Sequence, residues 1–207
     1  MNGKLIVFEG PDGSGKSTIL KNVNQKLTSE GYDIRVVREP GGTDISEKIR
    51  EIIIDNNNIK MAAKTESLLF AASRAQLVEE KIKPGLKNGE IILCDRFVLS
   101  SLLYQGIGRE LGIDEVKKIN DFATDNIKPN LTIFFNIDYK TALIRKRANF
   151  SPDRLENEDF DFHKKIFDAY LDIADRYKDD IKQVDATRSI EEVSTDVLKL
   201  IKNLLED

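Results

Sequence analysis

Cysteine and histidine are nearly absent from this chain: one of each occurs in 207 residues, Cys94 and His163. A lone thiol cannot form an internal disulfide, and nothing near Cys94 suggests a zinc site. It ends the run Glu90-Ile91-Ile92-Leu93-Cys94 and is expected as an inert core residue in a buried strand. His163 falls in a charged helical stretch and is expected at the surface. Long apolar runs are also missing, since none approaches the ~20 residues that a membrane-spanning helix needs. The opening Met1-Asn2-Gly3-Lys4 runs straight into a short strand without a signal-peptide pattern, so the expected compartment is the cytoplasm. A basic surplus is lacking too: 32 Lys and Arg face 36 Asp and Glu, giving a formal charge of −4. That balance argues against nucleic acid or an anionic membrane as partner, while a few local cations can still hold a small anion.

What is present is a strict alternation. Apolar strands are expected at 5–8, 34–38, 91–94 and 131–137, with a weaker one at 181–184. The first, third and fourth of them are almost continuously apolar, the pattern of strands buried on both faces of a parallel sheet. Between them lie helical spacings, among them residues 16–30. In the last, Ile190, Val193, Val197, Leu200, Ile201 and Leu204 form one stripe, and Ser189 with Glu192 has the form of a capping box. The expected fold is a three-layer α/β domain over 1–207, a five-stranded parallel sheet between helices. Residues 148–153, Ala-Asn-Phe-Ser-Pro-Asp, interrupt two charged helical segments and read as a flap, with a lid at about 145–158.

The chemistry begins at Gly10-Pro11-Asp12-Gly13-Ser14-Gly15-Lys16-Ser17-Thr18, which fits the phosphate-binding P-loop with a strand before it and a helix after. Glycines let successive N–H groups turn toward phosphate oxygens, and the helix N-terminus adds its positive dipole end. Lys16 suits the β- and γ-phosphates and Ser17 a Mg²⁺ ion. A GTPase needs Asp-x-x-Gly after the third strand and an Asn-Lys-x-Asp reader; Asp95-Arg96-Phe97-Val98 and Asn136-Ile137-Asp138 meet neither. A motor or transporter ATPase is normally larger. A nucleotide-switched binding protein would hydrolyse slowly, without stimulation by an acceptor. A small kinase instead requires a second anion site. Arg38-Glu39-Pro40-Gly41-Gly42-Thr43 and Asp95-Arg96 stand at the carboxyl ends of the second and third strands, where open α/β sheets bind ligands. Arg50 follows, and Phe70 and Arg74 share a helix face at i, i+4. Converging arginines bind a phosphate monoester and fix its orientation.

Together with Leu69-Phe70-Ala71-Ala72-Ser73-Arg74, Ser100-Ser101 and Tyr104-Gln105-Gly106, these segments closely resemble the thymidylate kinase family, whose members convert dTMP to dTDP with ATP. The resemblance spans essentially the whole chain and implies roles at matching positions. Asp12 would meet the acceptor's 3′-hydroxyl; Arg38, Arg50 and Arg96 would surround its phosphate, with Glu39 near it and near the metal, beside a cis Glu39–Pro40 peptide. Phe70 would stack on thymine, Arg74 and Gln105 would bond its polar edge with Ser101 nearby, and Tyr104 would crowd the 2′ position.

The loop holds no arginine, so the resemblance to the bacterial type assigns the catalytic cation to the lid, where Arg145, Arg147 and Arg154 occur. Arg154 would contact the transferred group and Arg145 stack on adenine. Lys16, Arg96 and Arg154 are thus the expected catalytic residues, with Ser17, Glu39 and Asp95 around Mg²⁺. Asp95 orients Arg96 or a metal-bound water, and no general base is needed. The family forms homodimers through helices beside the acceptor site. Two positions depart from its pattern, Phe97 where Tyr is usual and Leu103 where Ala often stands.

Overall fold

The computed structural model describes residues 3–147 and 152–206, with the side chains of 146 and 147 excepted. The apolar runs form five strands: β1 Lys4–Glu9, β2 Ile34–Arg38, β3 Ile91–Asp95, β4 Leu131–Asn136 and β5 Ile181–Asp185. All pair in parallel, in the order β2-β3-β1-β4-β5. The three central strands are those whose sequences are nearly all apolar, because helices cover both of their faces. β5 lies at an edge and buries only Ile181 and Val184, which explains its weaker sequence signal.

Successive residues of each central strand serve opposite layers. Ile6, Phe8, Ile133 and Phe135 face α1 Lys16–Ser29 and α9 Ile190–Glu206, while Leu5, Val7, Ile92 and Cys94 meet the opposite side. That side is covered by α3 Ala63–Leu77, a π-helical turn at Val78–Ile82 and α4 Lys83–Asn88. The wide turn ends two residues before Pro84, whose ring and missing N–H disrupt regular α-helical bonding to the preceding turn. Around Phe134 the layer is built instead from a second π-helical turn, Leu102–Gly108, and α8 Phe160–Arg176, with Phe134 and Tyr170 stacked at 5.1 Å. The remaining helices are α2 Asp44–Ile54, α5 Val98–Ser101, α6 Ile113–Thr124 and α7 Tyr139–Arg147.

The capping box is formed: the Glu192 amide donates to Ser189 Oγ at 3.3 Å and the Ser189 amide to Glu192 Oε2 at 3.1 Å. Cys94 is fully buried, as its run implies, and burial pushes its thiol pKa up. His163 is a correction: it is half-buried, its ring stacked on Tyr139 of α7 at 4.9 Å. Of the flap expected at 148–153, residues 148–151 lie outside the described residues. No described helix is long and apolar enough to cross a membrane.

Strand order reverses about β1, which has β3 on one side and β4 on the other. The loops leaving β1, β2 and β3 therefore converge at their carboxyl ends, and the site forms there.

Candidate active site

The loop from β1 to α1 curls over that edge. Gly10 has φ +144°, and a Cβ there would sit 2.9 Å from the Phe135 carbonyl oxygen, so only glycine fits. Gly13 and Gly15 also take left-handed backbone conformations, at φ +85° and +89°. Lys16 folds back into the loop, donating to the carbonyls of Gly10 and Pro11 at 2.9 Å each. Burial, then the nearby Arg96 charge, lowers its ammonium pKa to about 8. Ser17 donates its hydroxyl to Asp95 Oδ2 at 2.9 Å, joining the loop to the end of β3.

Opposite the loop stand the arginines. Arg38 grips Glu47 with one nitrogen, at 2.9 and 2.8 Å, and donates to the Pro40 carbonyl with the other. Arg50 donates to the same carbonyl at 3.1 Å, and burial together with Arg38 lowers its pKa. Two guanidiniums thus crowd one neutral oxygen, an arrangement that an arriving dianion relieves. The Glu39–Pro40 peptide is cis, as the resemblance implied. Beyond it the Gly41 amide donates to Ser73 Oγ at 3.1 Å, and Gly42 is pressed against α3, where a Cβ would meet Leu77 Cδ1 at 2.9 Å.

Arg96 stands between the two sides. Its φ of +68° is unusual for a residue with a side chain. Nη2 donates to Asp12 Oδ1 at 2.7 Å, Nη1 to Ser100 Oγ at 3.1 Å, and the guanidinium lies 5.5 Å over the Tyr104 ring. At the far end Arg74, 1% exposed, donates to Glu39 Oε2 at 2.6 Å, Ser101 Oγ at 3.0 Å and the Phe97 carbonyl at 3.1 Å, and also to Asn120. Burial raises the Glu39 carboxyl to about 7 against the opposing pull of Arg74. Its second oxygen, Oε1, is buried and has no hydrogen-bond partner.

These groups open onto one cavity of about 440 Å³. Its lining unites Asp12, Lys16, Ser17 and Thr18 of the loop with Arg38, Glu39, Pro40, Arg50, Asp95 and Arg96, then Phe70, Arg74, Ser101, Tyr104 and Gln105. Asp153, Leu155 and Glu156, from the segment before α8, line it as well. Of the expected residues, Gly10, Pro11 and Ser14 of the loop are not in that lining, nor are Arg145 and Arg154. Arg145 donates to the carbonyls of Ala186 and Thr187 after β5, at 2.7 and 3.1 Å. Arg154 is buried, with Nε on the Ile53 carbonyl at 2.8 Å and Nη1 on Glu66 Oε2 at 2.8 Å. The side chain of Arg147 lies outside the description.

Sequence reasoning missed two buried carboxylates. Glu9 carried no visible sign of its four hydrogen bonds, donated by backbone and hydroxyl groups of distant segments. Glu66 did have a signal, because it continues the Phe70–Arg74 face one turn earlier, at i−4. A smaller cavity of about 260 Å³, lined by Pro11, Tyr139, His163 and Tyr170 among others, borders the loop.

Comparison with known proteins gives a consistent result. A family model described as thymidylate kinase matches residues 8–197. A thymidylate kinase of Finegoldia magna is 49% identical over 198 residues, covering 96% of this chain and 97% of the relative. One of Lactobacillus helveticus is 49% identical over 210 residues, covering 100% of this chain and 99% of the relative. The crystal structure of thymidylate kinase from Ehrlichia chaffeensis superposes with a TM-score of 0.76 at 27% identity, over 96% of this chain and 98% of that one.

The raised Glu39 carboxyl carries a pH signature. Unfolded, it ionises near 4.5; folded, near 7. Between those values the folded state keeps the proton that the unfolded state has lost, so this group's contribution to stability falls as pH rises and is constant above about 7. Glu39→Gln removes the titration, and the variant should gain on the order of 3 kcal/mol relative to wild type across that window. Urea unfolding at a series of pH values measures it, and a difference independent of pH would reject the assignment.

Proposed function

Because the chain belongs to the thymidylate kinase family, we propose that its residues divide between them the phosphorylation of dTMP to dTDP by ATP, as follows. The enzyme is a nucleoside monophosphate kinase, a phosphotransferase of dTTP synthesis. The observation that carries the assignment of roles is that the P-loop and the arginine cluster open into one cavity, with Arg96 between them.

Phosphoryl transfer has a loose transition state, so the protein's task is to align donor and acceptor and to neutralise charge. Lys16 leaves the Gly10 and Pro11 carbonyls for the β- and γ-phosphates of ATP, and the loop from Gly10 to Thr18 wraps them. Arg38 and Arg50 take the dTMP phosphate, and Arg96 spans the gap to the donor. Asp12, already bonded to Arg96, accepts the 3′-hydroxyl. Phe70 carries the base, with Arg74, Ser101 and Gln105 at its polar edge, and Tyr104 crowds the 2′ position. The attacking phosphate oxygen is ionised at neutral pH, so no residue serves as general base.

Among the described residues no group of three or more His, Cys, Asp or Glu could hold a metal by itself. Ser17, Asp95 and the unpartnered Oε1 of Glu39 are hard oxygen donors on the cavity, which suits Mg²⁺ completed by water and phosphate. Held by these residues, such an ion would supply charge neutralisation for the phosphates. The lid, at about 145–158 of a single 1–207 domain, contributes Arg154, whose neighbours Asp153 and Leu155 already line the cavity. Arg145 stacks on adenine, and closure excludes water. The compartment is the cytoplasm, with no nucleic acid or membrane partner.

The enzyme works as a homodimer. Support comes from α2, α3 and α6, which pack side by side and leave Ile45, Ile52, Leu68 and Phe122 49–86% exposed. Such apolar exposure fits a buried interface.

Coupled assays with dTMP, dUMP, AMP and shikimate test the acceptor: dTMP should give the highest kcat/KM, and equal rates with another acceptor would sink the assignment. Arg154→Ala should lower kcat by at least about 10²-fold while leaving dTMP affinity nearly unchanged; an unaltered kcat removes the lid arginine from the mechanism. For the interface, Leu68→Glu should yield monomers in sedimentation equilibrium, whereas an unshifted mass rules out α3 as the contact.

A further inference from the structure

One carboxylate in the molecule touches both ends of the proposed reaction. Glu66, 1% exposed on α3, lies one turn before Phe70 and two turns before Arg74. Its Oε1 accepts from Gln105 Nε2 at 2.9 Å and Arg109 Nε at 3.2 Å. Its Oε2 accepts from Arg109 Nη2 at 3.0 Å and pairs with Arg154 Nη1 at 2.8 Å. Burial raises the Glu66 pKa, but hydrogen bonds from Arg109 and Gln105 overcome this and the net shift is downward, so the group stays ionised.

An ionised carboxylate can only accept hydrogen bonds. Gln105 must therefore turn its NH₂ toward Glu66, which commits Oε1 to the other side. That oxygen is buried, has no hydrogen-bond partner, and belongs to a residue lining the cavity's base end. Left unmade, such a bond is costly, and a ligand N–H satisfies it. The ring N–H of a pyrimidine-2,4-dione supplies that donor. Cytosine has a lone pair at the same ring position, which would face the Gln105 oxygen.

The same carboxylate holds the lid. Arg109 also reaches Glu158 at 2.5 Å, so Glu66, Glu158, Arg109 and Arg154 form a charge-balanced quartet. When Arg154 departs, Glu66 keeps Arg109 and Gln105 and is not abandoned. Arg154 in turn is incompletely satisfied here, because its buried Nη2 has no partner. Its seat is stable enough to park the side chain and poor enough to release it.

We propose that Glu66 is a positioning residue for this reaction, fixing the Gln105 amide as a hydrogen-bond acceptor for the base and parking Arg154 of the lid until the phosphates arrive. The inference rests on the roles given above to Gln105 and Arg154, and goes beyond them by making one side chain answerable for both.

The test uses full-length Glu66→Gln, whose side chain keeps the shape, loses the charge and can donate. Selectivity, the ratio of kcat/KM for dTMP over dCMP, should fall at least about 10-fold, because the Gln105 amide is free to turn over. Hydrogen exchange of the 153–158 amides without nucleotide should speed up by a similar factor while the β1 and β3 amides stay protected. Unchanged selectivity together with unchanged lid exchange overturns the proposal. Glu66→Asp, which retains the charge and withdraws it by one methylene, should give smaller changes of both kinds, and it serves in place of Glu66→Gln if that variant does not fold. Arg154→Ala and Gln105→Ala run in parallel separate the two levels. If they leave kcat and selectivity untouched, the roles of those residues fail, whereas lid exchange in Glu66→Gln still decides the role of Glu66.

Discussion

The carboxylate of Glu9 is wholly buried where β1 ends, and it accepts four hydrogen bonds: from the amides of Phe97 and Ser100 at 3.0 and 3.2 Å, and from the hydroxyls of Ser100 and Tyr170 at 2.6 and 2.8 Å. A charge in such surroundings is tolerable only when every lone pair is met, so the group demands this arrangement. It ties the start of the P-loop to the turn after β3, to α5 and to α8. The Arg96 amide, on the Phe8 carbonyl at 2.9 Å, completes the clamp and holds Arg96 in its left-handed backbone conformation. A backbone held this way costs on the order of 1–3 kcal/mol and persists because its surroundings over-determine it. From that position the guanidinium reaches Asp12, and the two sides of the cavity acquire a common reference point.

The cations of the site are all provisionally satisfied by groups within the protein. Lys16 rests on two loop carbonyls, Arg38 and Arg50 share the Pro40 carbonyl, and Arg96 holds Asp12. Lys16 and Arg50 rest on carbonyls, while Arg38 also grips the Glu47 carboxylate and Arg96 holds that of Asp12, so each cation is kept aimed at the cavity by a partner inside the protein. A second polar set lies deeper. Arg74, Glu39, Asn120, Gln105 and Glu66 form a buried polar layer between α3, α6 and the turn after α5. Its mutual hydrogen bonds leave these side chains little freedom to rotate.

Much of this was legible in the sequence. The central strands announced themselves because parallel strands covered on both faces must be apolar throughout, and β5 was faint because its edge position lets half of it meet water. The P-loop was legible because one short contiguous segment supplies all its donors, and the arginines because sheet topology brings strand ends together. The roles of the buried carboxylates were not. Glu66 is one of 36 acidic residues, and its nearest side-chain partner in the chain is 39 positions away. His163 was misread because nothing local shows that Tyr139, from another helix, covers its ring.

The sequence by itself determined the layers, the strand set, the phosphate loop and the family, since each depends on periodicity or on residues adjacent in the chain. Only the tertiary structure decided where the charges stand. It put Arg96 on Asp12, left one oxygen of Glu39 and one of Gln105 unpartnered, and seated Arg154 on Glu66. The reason is that a buried charge is governed by whichever groups fold around it, and those come from segments that meet only when the sheet and its helices close.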